Sequence, residues 1–236
     1  MATNRFAEAE PLMRCALAID ETALGKDNPK VALRLNGLAQ IMRATDRNKE
    51  AEPLLRRALA IDEAALGKEN PKLSIRLNTL ADLLISMKRH AEAEPMKLRA
   101  LALDEAGLGK DHPNVANNLF SIAQLLQDTE RAAEAEPLLR RALAIDEAAF
   151  VKVHQNIARD LNGLVGALRA TKRTSEAEPL SKRSLEIFAA LSKASGKPSP
   201  GLPLATETYR SILMELGDTK EQADENIGGL VGPASK

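Results

Sequence analysis

Ala51-Glu52-Pro53-Leu54-Leu55-Arg56-Arg57-Ala58-Leu59-Ala60-Ile61-Asp62-Glu63 recurs without a change as Ala135 to Glu147. Its opening triplet also stands at Ala9-Glu10-Pro11, Ala93-Glu94-Pro95 and Ala177-Glu178-Pro179, so Pro11, Pro53, Pro95, Pro137 and Pro179 fall 42 residues apart with no insertion or deletion. A fixed period of this length marks a stacked array, in which each unit buries its apolar face only against its neighbours. Such an array offers a long surface to a partner, whereas catalysis needs convergent chemistry that must be found separately.

The bulk composition narrows the partners. Lys plus Arg number 33 and Asp plus Glu number 33, giving a formal net charge of zero. Non-specific binding to nucleic acid or to an anionic membrane draws on a basic excess, and there is none. Aromatic residues make up 2%, with no Trp, one Tyr (Tyr209) and four Phe, too few to build base-stacking platforms. Cys15 is the single cysteine and has no internal partner for a disulfide, which fits a reducing compartment. No basic-then-apolar leader and no apolar run long enough to cross a bilayer stand out, so the reading is a soluble, cytoplasmic protein.

Helical periodicity dominates the chain. Leu35, Leu38, Ile41 and Met42 form one stripe, repeated as Leu77, Leu80, Leu83 and Leu84 and again as Leu119, Ile122, Leu125 and Leu126. The second helix of each unit reads from Ala51 to Leu66, with Leu54, Leu55, Ala58, Leu59 and Ile61 apolar and Arg56, Arg57, Asp62 and Glu63 polar. Between units, Leu24-Gly25-Lys26-Asp27-Asn28-Pro29 returns as Leu66 to Pro71 and as Leu108 to Pro113. Gly suits a left-handed position past a helix end, Asp or Asn caps the next helix, and Pro fits its first turn. Phe150 to Gln155 has lost both Gly and Pro and is the least specified of these turns. The pattern ends near Ser192. Residues 194–203 read as a Pro/Gly/Ser loop, and residues 204–236 as two capping helices (Thr206 to Leu216, Lys220 to Leu230) with a frayed tail.

Small residues recur where paired helices cross: Ala39, Ala51 and Ala58, then Ala81, Ala93 and Ala100, then Ala123, Ala135 and Ala142. With the Leu-Asn-x-Leu-Ala, Glu-Ala-Glu-Pro-Leu and Leu-Gly-Lys-Asp-His-Pro phrases, residues 1–193 resemble the tetratricopeptide repeat of the kinesin light chain type. That resemblance implies an all-α, right-handed superhelical solenoid of antiparallel helix pairs, A and B: a lone N-terminal helix B, then four 42-residue pairs. Where that family has Gly, then an aromatic, before helix B, this chain has Asp46 and Asn48, Lys88 and His90, Glu130 and Ala132, Lys172 and Thr174. The helix from Phe6 to Leu24 has no preceding A helix, leaving Leu17, Ile19 and Leu24 as an apolar flank for another chain.

The resemblance also implies that A helices line a groove and that like positions stack in rows. Asn36, Gln40 and Arg43 make one polar stripe. The corresponding sets are Asn78, Asp82 and Ile85, then Phe120, Gln124 and Gln127, then Asn162, Gly166 and Arg169. A column of Asn presents donors and acceptors to the backbone of an extended peptide; the alternative is a solvated face. Phe120 is either an apolar subsite or a packing residue. No phosphate-binding loop is present, and His112 and His154, 42 apart, mark a shared loop position rather than a metal pair. Cys15 stands where later units have Arg57, Arg99, Arg141 and Arg183, a surface substitution. The repeating Glu and Asp read as solvated faces and helix-dipole partners. The reading is a non-catalytic scaffold without cofactor or metal, binding a partner peptide or helix on the A-helix row, with no nucleic acid or membrane partner. The alternatives are self-association through the N-terminal half-repeat and a regulatory repeat fragment of a larger protein.

Overall fold

The computed structural model describes the backbone of residues 2–231 and the side chains of residues 6–231. Among these residues the chain forms eleven α-helices and no strand: α1 (Ala2–Leu24), α2 (Pro29–Ala44), α3 (Asn48–Leu66), α4 (Leu73–Ser86), α5 (His90–Leu108), α6 (Pro113–Asp128), α7 (Ala132–Ala149), α8 (Gln155–Ala170), α9 (Thr174–Ser195), α10 (Leu202–Glu215) and α11 (Lys220–Val231). The tail expected after Leu230 lies almost wholly outside them. The chain divides into two compact units, Met1–Lys110 with α1 to α5 and Asp111–Lys236 with α6 to α11. In the first, α2 packs on α3 and α4 on α5, with α1 against α2 and α3 against α4. The second pairs α6 with α7 and α8 with α9, and closes with α10 and α11 on α9. This is the all-α helix-pair repeat that the period predicts.

The apolar stripes are the core. Leu35, Leu38, Ile41 and Met42 are buried, as are Leu77, Leu80, Leu83 and Leu84, and Leu119, Ile122, Leu125 and Leu126. Each Ala named above for a helix crossing is sealed from solvent, because a larger side chain there would push the paired axes apart. One boundary differs from expectation: the second helix starts at Asn48, a turn before Ala51. Pro53 therefore sits inside α3 rather than in its first turn, and the turn survives because Pro53 faces solvent and only one backbone bond is lost. The expected 194–203 loop contracts to residues 196–201, since α9 runs on to Ser195 and ends on Gly196 in the left-handed region.

The short turns close each A helix in a Schellman arrangement. After α2, the Arg47 N–H donates to Met42 O at 2.9 Å and the Asp46 N–H to Arg43 O at 3.2 Å. The same pair of bonds follows α4, α6 and α8, made by Lys88 and Arg89, Glu130 and Arg131, and Lys172 and Arg173. The motif requires a positive φ, and Asp46, Lys88, Glu130 and Lys172 adopt it at 57°, 62°, 61° and 60°. These are the positions where the resembling family has Gly. A side chain there costs of order 1 kcal/mol each.

In the longer turns the glycines do not take the left-handed conformation expected of them. Gly67 has φ 84° and ψ 151°, positive in φ but extended in ψ. Asn28 caps α2 by accepting from the Lys30 N–H at 3.0 Å. His112 and His154 do the same for α6 and α8 through Nδ1, at 3.1 and 3.2 Å. The fourth turn, which lacks both Gly and Pro, is held instead by the Phe150 ring stacked on His154, centroids 3.9 Å apart and 5° from parallel.

The repeating acids are not simply solvated faces. Arg47 donates to Glu10 at 2.6 Å, Arg89 to Glu52 at 2.6 Å and Arg173 to Glu136 at 2.6 Å, tying the starts of α3, α5 and α9 to the B helix before each. Hydrogen bonds from Arg89 hold Glu52 below the usual carboxylate range, those from Arg47 do so for Glu10, and Arg140 leads for Glu136. A second column joins Arg57 to Glu21 and Arg99 to Glu63 in the first unit and Arg183 to Glu147 in the second. Cys15 is the exposed member of that register.

Candidate functional site

In the first unit, α2 and α4 present Asn36, Gln40, Arg43, Asn78 and Asp82 along their A-helix row. The burial of Leu35, Leu38 and Met42 on the opposite stripe turns Gln40 outward and leaves Asn36 and Arg43 half-buried. Gln40 is exposed and Arg43 half-buried, and neither makes a hydrogen bond or ion pair with a described residue. That sets Arg43 apart. Arg14, Arg34, Arg47, Arg56, Arg57, Arg76, Arg89 and Arg99, the other arginines with described side chains in this unit, are all ion-paired. The Asn36 side-chain oxygen is shut off from solvent and accepts no hydrogen bond. Asp82 is exposed and takes a 2.5 Å bond from Lys97 Nζ.

Lys97 is a residue that sequence reasoning missed. It is 2% exposed, lying on α5 at the register where α3 has Leu55 and α7 has Leu139, both buried. Its stem fills the leucine's space and its ammonium emerges beneath Asp82. The signal was a cation between two leucines in a register that reads Met13, Leu55, Lys97, Leu139 and Ser181. A cleft of about 720 Å³ also opens beside the α2–α3 turn, walled by Asp46, Arg47, Glu50, Glu52 and Arg89. Its arginines are already bonded to its glutamates.

In the second unit, α6 and α8 carry Phe120, Gln124, Gln127, Asn162 and Arg169, and most of these are engaged within the chain. The Gln127 amide donates to Gly163 O at 2.9 Å, binding α6 to α8. Arg169 donates to Ser211 Oγ at 2.9 Å and also to Glu215, binding α8 to α10. Phe120 is a packing residue: a Cβ placed on Gly163 would lie 3.0 Å from its ring and 2.7 Å from Leu139. The Arg159 guanidinium covers the other face, 4.5 Å from the ring centre. Gln124 remains exposed, and the Asn162 oxygen, like that of Asn36, accepts no hydrogen bond.

Chemistry of other kinds finds no assembly. Among the described residues no group of three or more His, Cys, Asp or Glu is placed to hold a metal ion, and no helix is long and apolar enough to cross a membrane.

Comparison with known proteins agrees with this geometry. The tetratricopeptide repeat model matches residues 1–64, 72–148 and 122–190. No curated protein matches by sequence. Among solved structures, the nearly identical TPR-like repeats of a Podosopora anserina kinesin light chain superpose with a TM-score of 0.70 at 23% identity, covering 80% of this chain and 89% of that one. BtubC (BKLC) from P. vanneervenii superposes with a TM-score of 0.77 at 19% identity, covering 100% of this chain and 94% of that one. Both likenesses are of fold. With its family model spanning most of the sequence, and with helix pairs at each predicted repeat, this chain belongs to the tetratricopeptide repeat family, whose repeats are in general protein–protein interaction modules.

Proposed function

We propose that the chain is a non-catalytic, cytoplasmic scaffold that binds a segment of a partner protein along the A-helix row of its first unit. Asn36, Gln40, Arg43, Asn78 and Asp82 supply the contacts there. The observation that carries this reading is Arg43, the one arginine with a described side chain in that unit that has no acid. A half-buried guanidinium with five donors and no acceptor fits a carboxylate arriving from outside. The second unit gives the internal precedent, since Arg169 at the same register is seated on Glu215. The surface is largely preformed, so binding carries little ordering cost on the scaffold's side.

The test is peptide display against the full chain, followed by affinity measurement of the selected peptide on Arg43→Ala and on Asn36→Ala. Loss of at least about tenfold on Arg43→Ala, roughly 1.4 kcal/mol, supports the assignment. Unchanged affinity on both variants removes the row from the site.

A second reading rests on α1. Ile19 is 60% exposed, whereas Ile61 at the same register is 4% exposed against its own A helix. A second copy of this chain laid against that face would give an isologous dimer. Light scattering decides: a particle of 25.5 kDa, the mass of one chain, excludes it.

A further inference from the structure

At one register the repeats exchange partners in a telling order. Asp20 accepts from Arg34 at 2.7 Å and Asp62 from Arg76 at 2.7 Å, each acid on a B helix and each arginine fourteen residues later on the next A helix. In the second unit the same two places hold Asp146 on α7 and Asp160 on α8, and a period later they hold Phe188 and Leu202, both in an apolar cluster. Where Arg34 and Arg76 neutralise an acid in the first unit, two acids therefore meet here. Both are 0% exposed.

One cation serves the pair. Arg159, from the position before, donates to Asp160 Oδ1 at 2.8 Å and to Asp146 Oδ2 at 3.3 Å. Asp146 Oδ1 and Asp160 Oδ2 are sealed from water and receive no hydrogen bond from any other donor. Asp146 Oδ2 and Asp160 Oδ1 meet on the same Arg159 nitrogen, which sets the two carboxyls side by side. Two carboxylates are both acceptors, so that contact is a bond only when one carries a proton. Two buried negative charges against one arginine would leave an unpaired charge in a low-dielectric site.

We propose that Asp146 and Asp160 share one proton, and that its loss loosens the joint between α7 and α8, making the second unit a pH-responsive segment of the array. The surrounding groups set this up. Phe120 and Asn117 on α6 hold Arg159 in place, the latter by a 2.6 Å bond. On the α8 side, Asn156 and His154 are the other polar groups that act on Asp146. On α7, Glu147 faces outward to Arg183 of α9. From α9 the neutral Ser184 closes the layer, its hydroxyl bonding Ala158 O at 3.1 Å. Burial pushes both acids up, against the pull of Arg159, and Asp160 reaches about 7 from an ordinary 3.8. The folded state then keeps a proton that unfolding releases. Stability accordingly falls as pH rises from about 4 to about 7, by up to about tenfold in the folded-to-unfolded ratio per pH unit, and levels off above.

The experiment is urea unfolding of the full chain at intervals from about pH 5 to about pH 8. The wild-type midpoint should drop across that window. Asp160→Asn, which keeps the shape and removes the titration, should flatten the curve and raise the midpoint at the alkaline end. Asp160→Arg, which restores the ion pair of the first unit, should also flatten it. His154→Asn retains a cap and should leave the slope as it was. A slope that survives in Asp160→Asn, or that vanishes in His154→Asn, overturns the proposal. Should Asp160→Asn not fold, carboxyl carbon NMR of the wild type decides. One aspartate of the pair titrating above about pH 6 supports the shared proton, and both titrating below about pH 4.5 refute it.

Discussion

The two A-helix rows of this chain have the same register and different employment. In the second unit Gln127, Phe120 and Arg169 tie α6 to α8 and α8 to α10, and Gly163 makes room for the Phe120 ring. In the first unit Gln40 and Arg43 make no hydrogen bond or ion pair with a described residue, and a Cβ placed on Gly37, the counterpart of Gly163, would meet only the end of Met13, its methyl at 3.1 Å. The same scaffold position is structural in one half and open in the other. A polar row in a repeat array is thus not a site by virtue of its pattern. It becomes a candidate where its members have no intramolecular occupation.

The largest effect should come from the glycines. Gly163→Ala drives a Cβ into Leu139 and Phe120 and should cost about 1–3 kcal/mol in urea unfolding. The same change at Gly37 meets a flexible methionine end in a helix interior and should be neutral or stabilise by up to about 1 kcal/mol. Equal costs at both would erase the distinction between the rows. Arg169→Ala should cost about 1 kcal/mol, because it removes a partly exposed ion pair and a hydroxyl bond that join α8 to α10. Next, Lys88→Gly and Glu130→Gly should each stabilise by about 0.5–1 kcal/mol, one in each unit, since both relieve a positive φ. A loss of stability in either would show that these side chains earn their strained conformation through contacts. The smallest effect belongs to Arg43→Ala, within about 0.5 kcal/mol of wild type, as expected for a side chain away from the core and without an internal partner.

Much of the fold is legible from the period alone. The 42-residue register of Pro53 and its counterparts, together with the leucine stripes, locates the helix pairs and the crossing alanines. The helix starts were less legible. Asn48 to Glu50 are ordinary helix-compatible residues, and the Ala-Glu-Pro phrase drew the boundary one turn late. The acids were misread because a sequence shows that Glu52 and Arg89 both recur without showing that they meet across 37 residues. Lys97 and Asp160 were visible only as departures in registers that vary anyway, a cation where Leu55 and Leu139 stand and an acid where Arg34 and Arg76 stand. For the row, pattern placed Asn36, Gln40, Arg43 and their counterparts on A helices, where they lie. It had no means of telling Arg43 from Arg169, because the Glu215 that occupies Arg169 lies outside the repeat phrase.

The most direct test is a matched pair of affinities. A peptide selected on the full chain is titrated against Arg43→Ala and Arg169→Ala, with unfolding curves confirming that both fold. Arg43→Ala should lose at least about tenfold, against less than about threefold for Arg169→Ala, because only the first guanidinium is free to receive a carboxylate. The reverse order, with Arg169→Ala losing the peptide and Arg43→Ala retaining it, would contradict the assignment of Arg43.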